Sequence, residues 1–256
     1  MSDNSLSVVH TDVFARLPGG GNPCPIVLGG GVLSAGQMQA VAARYGQETG
    51  FVLLDDDGAL RLRFFVPRHE MAMCVHATVA AVTVLLDAGL LEGQAATVRT
   101  ASGECKLAWD DGAPPRVTVE QQTPVFGATL ELGDELEAAA GLTEGALDPL
   151  APIRVVSVSR AKLIVPVREA LLLERAEPNF ERLWSLCRRV QSTGAYLFAP
   201  HPDGRAHHLV ARQFPVDAGF AEDAATGVAA AALAAYLAAQ AAPASSGWRE
   251  VRIDQG

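Results

Sequence analysis

The stretch that most constrains this chain runs from Val228 to Ala239, where Tyr236 is the only side chain that is not Ala, Leu or Val. Such a run has very high helix propensity, and a helix that is apolar all round is expected to be buried on all sides. Immediately before it stands Gly219-Phe220-Ala221-Glu222-Asp223-Ala224-Ala225-Thr226-Gly227. Asp223 and Thr226 are residue types that cap a helix start. The head of this helix is therefore expected to be an interior site with free backbone N–H groups and the positive end of a dipole, suited to a carboxylate ligand. The same residues also describe a capped core helix without chemistry.

The bulk properties narrow the classes. At 256 residues the chain can bury a large core, as one domain or as two of about 120–130 residues. A net charge of −9 with no basic cluster argues against a nucleic-acid partner. No apolar run reaches the roughly 20 residues that span a bilayer, so no membrane association is expected. Met1 to Ser7 is polar and carries no signal pattern. Cys24, Cys74, Cys105 and Cys187 are scattered without a C-x-x-C pair, which signals neither a zinc site nor a disulfide framework, and a cytoplasmic location is the default. The six histidines, His10, His69, His76, His201, His207 and His208, lack carboxylates or cysteines at ligand spacing, so no metal is expected. His207 and His208 are expected on opposite faces of a strand.

Taken in order, Val8 to Val13 alternates as a strand does, Leu17 to Pro23 is a dense turn, and Pro25 to Leu28 begins a second strand. Ser34-Ala-Gly-Gln37 fits a capping box for a helix ending near Tyr45-Gly46. Gly50 to Leu54 reads as a buried strand. Glu48 is thus a carboxylate at a helix-to-strand junction, a position where most glutamates are simply solvated. Leu60 to Val66 is a strand with one wet face, and Ala77 to Leu86 is a second apolar helix, closed by Gly89. Strands are expected within Leu90 to Asp110, broken at Gly103, and over Val117 to Glu120. In the second half Leu130 to Leu142 and Phe180 to Val190 look helical. Val155–Val158, Ala161–Val167, Ala195–Ala199 and His207–Phe214 look like strands, and the tail from Gly247 begins another. Ala77-Thr78 falls on Ala225-Thr226 when the two apolar helices are superposed. This suggests two similar halves, each wrapping strands around one central helix, with both helix heads at a shared cleft.

Several motifs in this order resemble the PhzF-like isomerases of phenazine biosynthesis, relatives by fold of diaminopimelate epimerase and proline racemase. They are Asp12-Val13-Phe14, Gly21-Asn22-Pro23, Gln47-Glu48-Thr49-Gly50-Phe51, Arg63-Phe64-Phe65-Val66-Pro67 with Glu70, His76-Ala77-Thr78-Val79, and Glu222-Asp223-Ala224-Ala225-Thr226-Gly227. The resemblance implies an α+β fold of two pseudo-symmetric diaminopimelate epimerase-like halves, each a curved mixed sheet or barrel around a central helix. The halves are expected over residues 1–118, with Glu48 and His76, and 119–256, with Asp223, the last strand being free to return to the N-terminal half. It further implies an enzyme without cofactor or metal, usually a homodimer, acting on a small carboxylate-bearing substrate. In that family Glu48, as principal acid/base, would move a proton and with it a double bond in a small cyclic carboxylate of secondary metabolism. His76 and Asp223 would assist, and Asn22, Val75, Thr226, Gly227 and Val228 would line the substrate.

This chain departs from the family pattern. Val75 stands where the family has Gly, Ala77 where it has Pro, and Val228 where it has Ser. A smaller, more apolar pocket is expected, and the phenazine substrate itself is not. Relatives also typically continue past Ile253 to Gly256 with a further strand. Met73-Cys74-Val75-His76 resembles the Met-Cys-Gly-His of proline racemases, so an amino-acid racemase or epimerase using Cys74 is the alternative. The second helix start has no cysteine, and Cys74 reads equally as a buried packing residue. A catalytically degenerate small-acid binder is the third reading, favoured by Val75 and Val228.

Overall fold

In the computed structural model, residues 6–15, 17, 20–240 and 250–256 are described. The chain divides into two units, Met1–Gln122 and Thr123–Gly256. Pro18 and Gly19 of the expected turn, and Gly247 to Arg249 of the expected tail strand, lie outside the described residues.

The first unit is built from β1 (Ser7–Val13), β2 (Asn22–Leu28), a 3-10 turn (Gly30–Val32), α1 (Ala35–Tyr45), β3 (Thr49–Leu54), β4 (Leu60–Phe65), β5 (Glu70–Met71), α2 (Val75–Asp87), β6 (Ala95–Thr100), β7 (Gly103–Trp109) and β8 (Val117–Val119). Its strands form one sheet in the order β1-β2-β3-β4-β6-β7-β8, with β5 paired to β4. Helix α2 packs against β1, β2 and β3 and also against β8. Because β1 and β8 end the sheet order, the sheet curls around α2. Nine of the helix's thirteen residues are buried, as expected for an apolar helix inside a curled sheet. On the other face Met38 and Ala42 of α1 pack with Val27, Phe51 and Phe65.

Local signals explain these elements. The Ser34–Gln37 capping box opens α1, and Gly46 closes it at φ 66°. β2 begins three residues earlier than the sequence predicts and contains Pro23 and Pro25. It pairs with β1 throughout, but with β3 only at Ile26 and Val27, so its first residues have a ladder partner on one side only. That is where proline, lacking an N–H, is tolerated. Gly21 supplies the turn into β2 at φ 85°, where an added Cβ would lie 2.6 Å from the Val13 carbonyl oxygen.

The second unit comprises β9 (Val125–Thr129), α3 (Gly133–Ala140), β10 (Arg154–Ser157), β11 (Ala161–Pro166), α4 (Ala170–Glu174), α5 (Phe180–Arg189), β12 (Gly194–Pro200), β13 (His208–Pro215), α6 (Gly227–Gln240) and β14 (Arg252–Gln255). The sheet order is β14-β13-β12-β11-β10-β9. Leu163, Val165, Leu197 and Phe214 on one sheet face pack with Leu136 of α3, Leu173 of α4 and Leu183 and Leu186 of α5. The alternate residues face α6, where Phe198 meets the Tyr236 ring edge-on at 5.8 Å. β9 escapes the sequence reading because it is an edge strand with almost every residue exposed, which leaves no hydrophobic alternation to see. The helix expected over Leu130 to Leu142 shortens to α3 for the same reason: Leu130 still follows the strand path, its N–H bonding the Ile153 carbonyl at 2.8 Å.

Helix α6 corrects one expectation. Only Val228, Ala229, Ala232, Leu233 and Tyr236 are fully buried, a single stripe at helical spacing, and Ala238 to Gln240 are exposed. Alanine is small enough to be tolerated in water at little cost, so an all-apolar pattern overstates burial when most of it is Ala. The Ala-Thr superposition also fails. Thr78 lies inside α2, where its hydroxyl donates back to the Cys74 carbonyl at 2.7 Å, whereas Thr226 precedes α6. The positional counterpart of Thr226 is Cys74, the residue before α2.

Among the described residues no helix is long and apolar enough to cross a membrane. Gly21→Ala places a Cβ in a left-handed conformation and against the Val13 carbonyl, and should lower stability by about 1–2 kcal/mol. Urea unfolding measures this, and an unchanged midpoint would contradict the tight β1–β2 connection.

Candidate active site

The first unit gathers Glu48, Cys74 and His76 in one buried cluster. Glu48 is fixed at the residue before β3, and β3 runs parallel to β2 with Ile26 opposite Gly50. Cys74 caps α2 in extended conformation and makes no side-chain capping bond, which leaves the first-turn N–H groups of α2 without intrahelical acceptors. His76 is the second residue of that helix. Its Nε2 lies 3.0 Å from Glu48 Oε2. Cys74 Sγ lies 3.6 Å from the same carboxylate oxygen and 3.4 Å from His76 Nδ1. His76 is 2% exposed and Glu48 8%, so both groups are shielded from water.

The protons of this triangle can be assigned. Burial pushes the Cys74 thiol up to about 12, and the Glu48 charge adds to the rise against the opposing effect of His76. The thiol is therefore protonated at neutral pH. Burial also penalises a charged His76 ring, but the facing Cys74 and Glu48 outweigh it and raise the imidazole well above its usual value. Cys74 raises the imidazole by its charge only as a thiolate, so with the thiol protonated the charge that still raises His76 is that of Glu48. An imidazolium donates from Nε2 to Glu48 and from Nδ1 to sulfur, and the thiol donates to Glu48, so every contact in the triangle has one donor and one acceptor. The positive end of the α2 dipole favours the negative charge on Glu48 and opposes the positive charge on His76 in the first turn, so the contact with Glu48 is what holds the ring charged.

Cys24, fully buried on β2, belongs to this environment: burial raises its thiol first and the Glu48 charge second. Asn22, two residues earlier at the head of β2, is also buried and sits opposite Val13. Val75 is the first residue of α2 and 9% exposed.

The second unit organises Asp223, Thr226, Gly227 and Val228 at the head of α6. The Asp223 N–H bonds the Gln213 carbonyl at 3.0 Å, tying the turn to β13. The Thr226 hydroxyl donates to Asp223 Oδ2 at 2.5 Å. Gln255 of β14 closes the turn. Its Nε2 donates to the Asp223 carbonyl at 2.7 Å and to Thr226 Oγ1 at 3.0 Å, while its Oε1 accepts from the Thr226 N–H at 3.2 Å and from the Tyr196 hydroxyl at 3.0 Å. Asp223 is buried, Gly227 half-buried and Val228 buried. Burial, and then the charge of Asp223, push the Tyr196 phenol well up, so it donates as a neutral group. Sequence reading did not single out Gln255 or Tyr196, because nothing local marks a glutamine 32 residues from its partner carbonyl.

Two other carboxylates of the motifs are committed elsewhere. Glu222 holds Arg212 through two bonds of 2.8 and 2.7 Å, and Arg212 also donates to the carbonyls of Leu173, Glu174 and Ala176. Glu70 holds Arg63 through bonds of 2.7 and 2.8 Å. Both are structural pairs. Gln213 is different: it is fully buried, and among the described residues neither atom of its side-chain amide has a hydrogen-bond partner. Glu48, Cys74 and His76 also form a three-donor group able to hold a metal ion, as do His201, His208 and Asp254 in the second unit.

Comparison with known proteins places these features in context. The family model for the phenazine biosynthesis-like proteins, PhzC-PhzF, matches residues 11–256. A protein of Deinococcus radiodurans named as an uncharacterized isomerase is 37% identical over 235 residues, covering 89% of this chain and 74% of its own length. The crystal structure of a Bacillus anthracis phenazine biosynthesis protein of the PhzF family superposes with a TM-score of 0.81 at 31% identity, covering 91% of this chain and 80% of that one. A hydroxyproline epimerase from Agrobacterium vitis, 13% identical, shares the fold at a TM-score of 0.65, over 94% of this chain and 79% of its own.

Two measurements check the site's electrostatics. The unfolded pKa of histidine is about 6.5, and that of His76 is raised by folding, so the stability its charge contributes is fully present below about pH 6.5. It is lost as pH rises through the raised value. Urea unfolding of the parent should therefore weaken above neutral pH relative to His76→Gln, and parallel profiles would contradict a charged His76. Gln213→Leu removes an unpaired buried amide and should leave stability unchanged or raise it by about 1–3 kcal/mol. A clear loss on thermal unfolding would show that the amide has a partner.

Proposed function

Because the chain belongs to the PhzC-PhzF family of phenazine biosynthesis-like proteins, we propose that it is an isomerase that moves a proton, and with it a double bond, in a small cyclic carboxylate by acid/base catalysis without a cofactor. The observation that carries this reading is the buried 3.0 Å contact between Glu48 and His76 at the head of α2. Glu48 is the group that takes the proton from carbon. A carboxylate shielded from water and paired with a charged imidazole is suited to that task. Once protonated, Glu48 returns the same proton to a different carbon of the substrate. His76 stays charged and fixes the orientation of Glu48 throughout, and the start of α2, which has no side-chain cap, offers N–H groups to negative charge developing on the substrate. Asp223, held by Thr226 and Gln255, is the second carboxylate of the family pattern, and Asn22, Val75, Gly227 and Val228 are substrate-lining positions. The apolar Val75 and Val228 favour a small ring. A place in secondary-metabolite biosynthesis and a homodimeric, cytoplasmic protein are part of the same reading.

A racemase using Cys74 is the second reading, favoured by the thiol's contacts with both Glu48 and His76. Against it stands a thiol raised to about 12 by burial, because the thiolate is the reactive form. No cysteine occurs from Asp223 to Gly227 to act as its opposite number.

The test follows hydrogen–deuterium exchange by NMR over cyclic amino acids and dihydroaromatic acids, with three variants. The account expects double-bond migration in a dihydroaromatic acid, at least about 100-fold slower turnover in Glu48→Gln, and nearly parental turnover in Cys74→Ala. Asp223→Asn reports whether the second unit's carboxylate takes part. Deuteration only at an amino-acid α-carbon, abolished by both Cys74→Ala and Cys74→Ser, would replace the isomerase with the racemase. Saturable binding of the acids with no exchange at any carbon would leave a binding protein.

A further inference from the structure

Gln255, the last residue of β14, stands at the centre of a hydrogen-bond relay that runs from the core of the second unit to the Asp223 carboxylate. Its side chain makes four contacts within 3.2 Å, and only one orientation of the amide satisfies them. The Thr226 backbone N–H, at 3.2 Å, can only donate, and the Asp223 carbonyl, at 2.7 Å, can only accept. Oε1 must therefore face Thr226 N and Nε2 must face the Asp223 carbonyl. Turning the amide over would set donor against donor and acceptor against acceptor. The Tyr196 hydroxyl, 3.0 Å from Oε1, then donates, as a phenol pushed well up by burial first and the Asp223 charge second is able to do.

One Nε2 hydrogen goes to the Asp223 carbonyl and the other to Thr226 Oγ1, at 3.0 Å. A threonine hydroxyl carries one proton. With Oγ1 accepting from Gln255, that proton is directed to Asp223 Oδ2, 2.5 Å away, the one acceptor the hydroxyl bonds among the described residues. We propose that Gln255 is a positioning residue for Asp223. By donating to Thr226 Oγ1 it aims the threonine proton at Oδ2, holds Oδ2 as an acceptor, and makes Oδ1 the oxygen through which Asp223 gains or loses a proton. Without the amide donor, the hydroxyl would be equally able to accept from a protonated Oδ2. The role rests on the reading of Asp223 as the second carboxylate of the isomerase.

The fold keeps each member of the relay in place. Tyr196 is fully buried on β12, Asp223 is buried, and Thr226 and Gln255 are half-buried. β14 pairs with His208 to Ala211 of β13, and one residue before Gln255 the Asp254 carboxylate meets His208 Nε2 at 3.1 Å. His207 has no part in this, against the expectation that it would alternate with His208 on a strand: β13 starts at His208, and His207 precedes it at φ 59°. On the other side of Gln255, Gly256 has φ 103°, and a Cβ there would lie 3.2 Å from the Ala224 carbonyl oxygen. The end of β14 thus passes close against the turn whose proton it orients.

The test follows the ¹³C resonance of the Asp223 carboxyl carbon against pH in the full chain, assigned by its loss in Asp223→Asn, and it needs no substrate. Thr226→Val removes the donor to Oδ2, and Gln255→Leu removes the group that aims it. A donated hydrogen bond favours the charged form of a carboxylate, so both variants should move the Asp223 midpoint to higher pH, while Thr226→Ser keeps the parent midpoint. The double variant separates positioning from mere support. If Gln255 acts through the threonine hydroxyl, adding Gln255→Leu to Thr226→Val moves the midpoint no further, whereas a purely structural glutamine adds its own shift. Gln255→Met, which keeps the length of the side chain without its donor, is judged by the same outcomes if the leucine variant does not fold. An unmoved midpoint in the Gln255 variant, or additive shifts in the double variant, would overturn the proposal. On a substrate that the parent isomerises, Gln255→Leu should lower kcat about 10-fold or more with KM nearly unchanged, and an unchanged kcat would also overturn it. A parent without turnover would count against the isomerase, and the carboxyl titration would still decide the relay.

Discussion

A carboxylate and an imidazole 3.0 Å apart inside the first unit are the interaction on which the candidate site depends. Burying one charge alone is very costly, and a buried pair is tolerated only when its remaining contacts are satisfied. Here the cost is offset by the Cys74 thiol, which completes the donor–acceptor triangle. The position of each group follows from an element with its own stability. α2 is gripped by a sheet that curls round it, and the parallel pairing of β2 with β3 fixes where the chain enters β3 at Thr49. Removing either charge would strand the other, and an amide in place of Glu48 isolates that loss because it keeps the side chain's shape and a hydrogen-bond acceptor for His76, whereas alanine also opens a cavity.

The second unit solves a similar problem with neutral groups. Asp223 is held through its backbone by Gln213 and Gln255 and through its side chain by Thr226. Gln255 uses both amide atoms, and the Tyr196 hydroxyl of β12 donates to its Oε1. The geometry of this turn therefore depends on β14 staying paired to β13 through His208 to Ala211.

Much of this was legible in the sequence. The capping box of α1, the two apolar helices, most strands and the junction position of Glu48 follow from local patterns, and the ordered motifs identify the family. What stayed hidden depends on partners distant in the chain. Exposed β9 has no alternation to read, and an alanine-rich helix looks more buried than it is. Glu222 and Asp223 are adjacent and chemically alike, yet Arg212 makes the first a structural residue. Gln255 and the His201–His208–Asp254 group become meaningful only once β14 lies beside β13.

The ¹⁵N chemical shifts of the His76 ring, measured in the parent protein and in Glu48→Gln, test the central claim most directly. The account predicts both ring nitrogens protonated at neutral pH in the parent, with the titration displaced downward when Glu48 loses its charge. A neutral His76 tautomer at pH 7 in the parent, unaffected by Glu48→Gln, would contradict it.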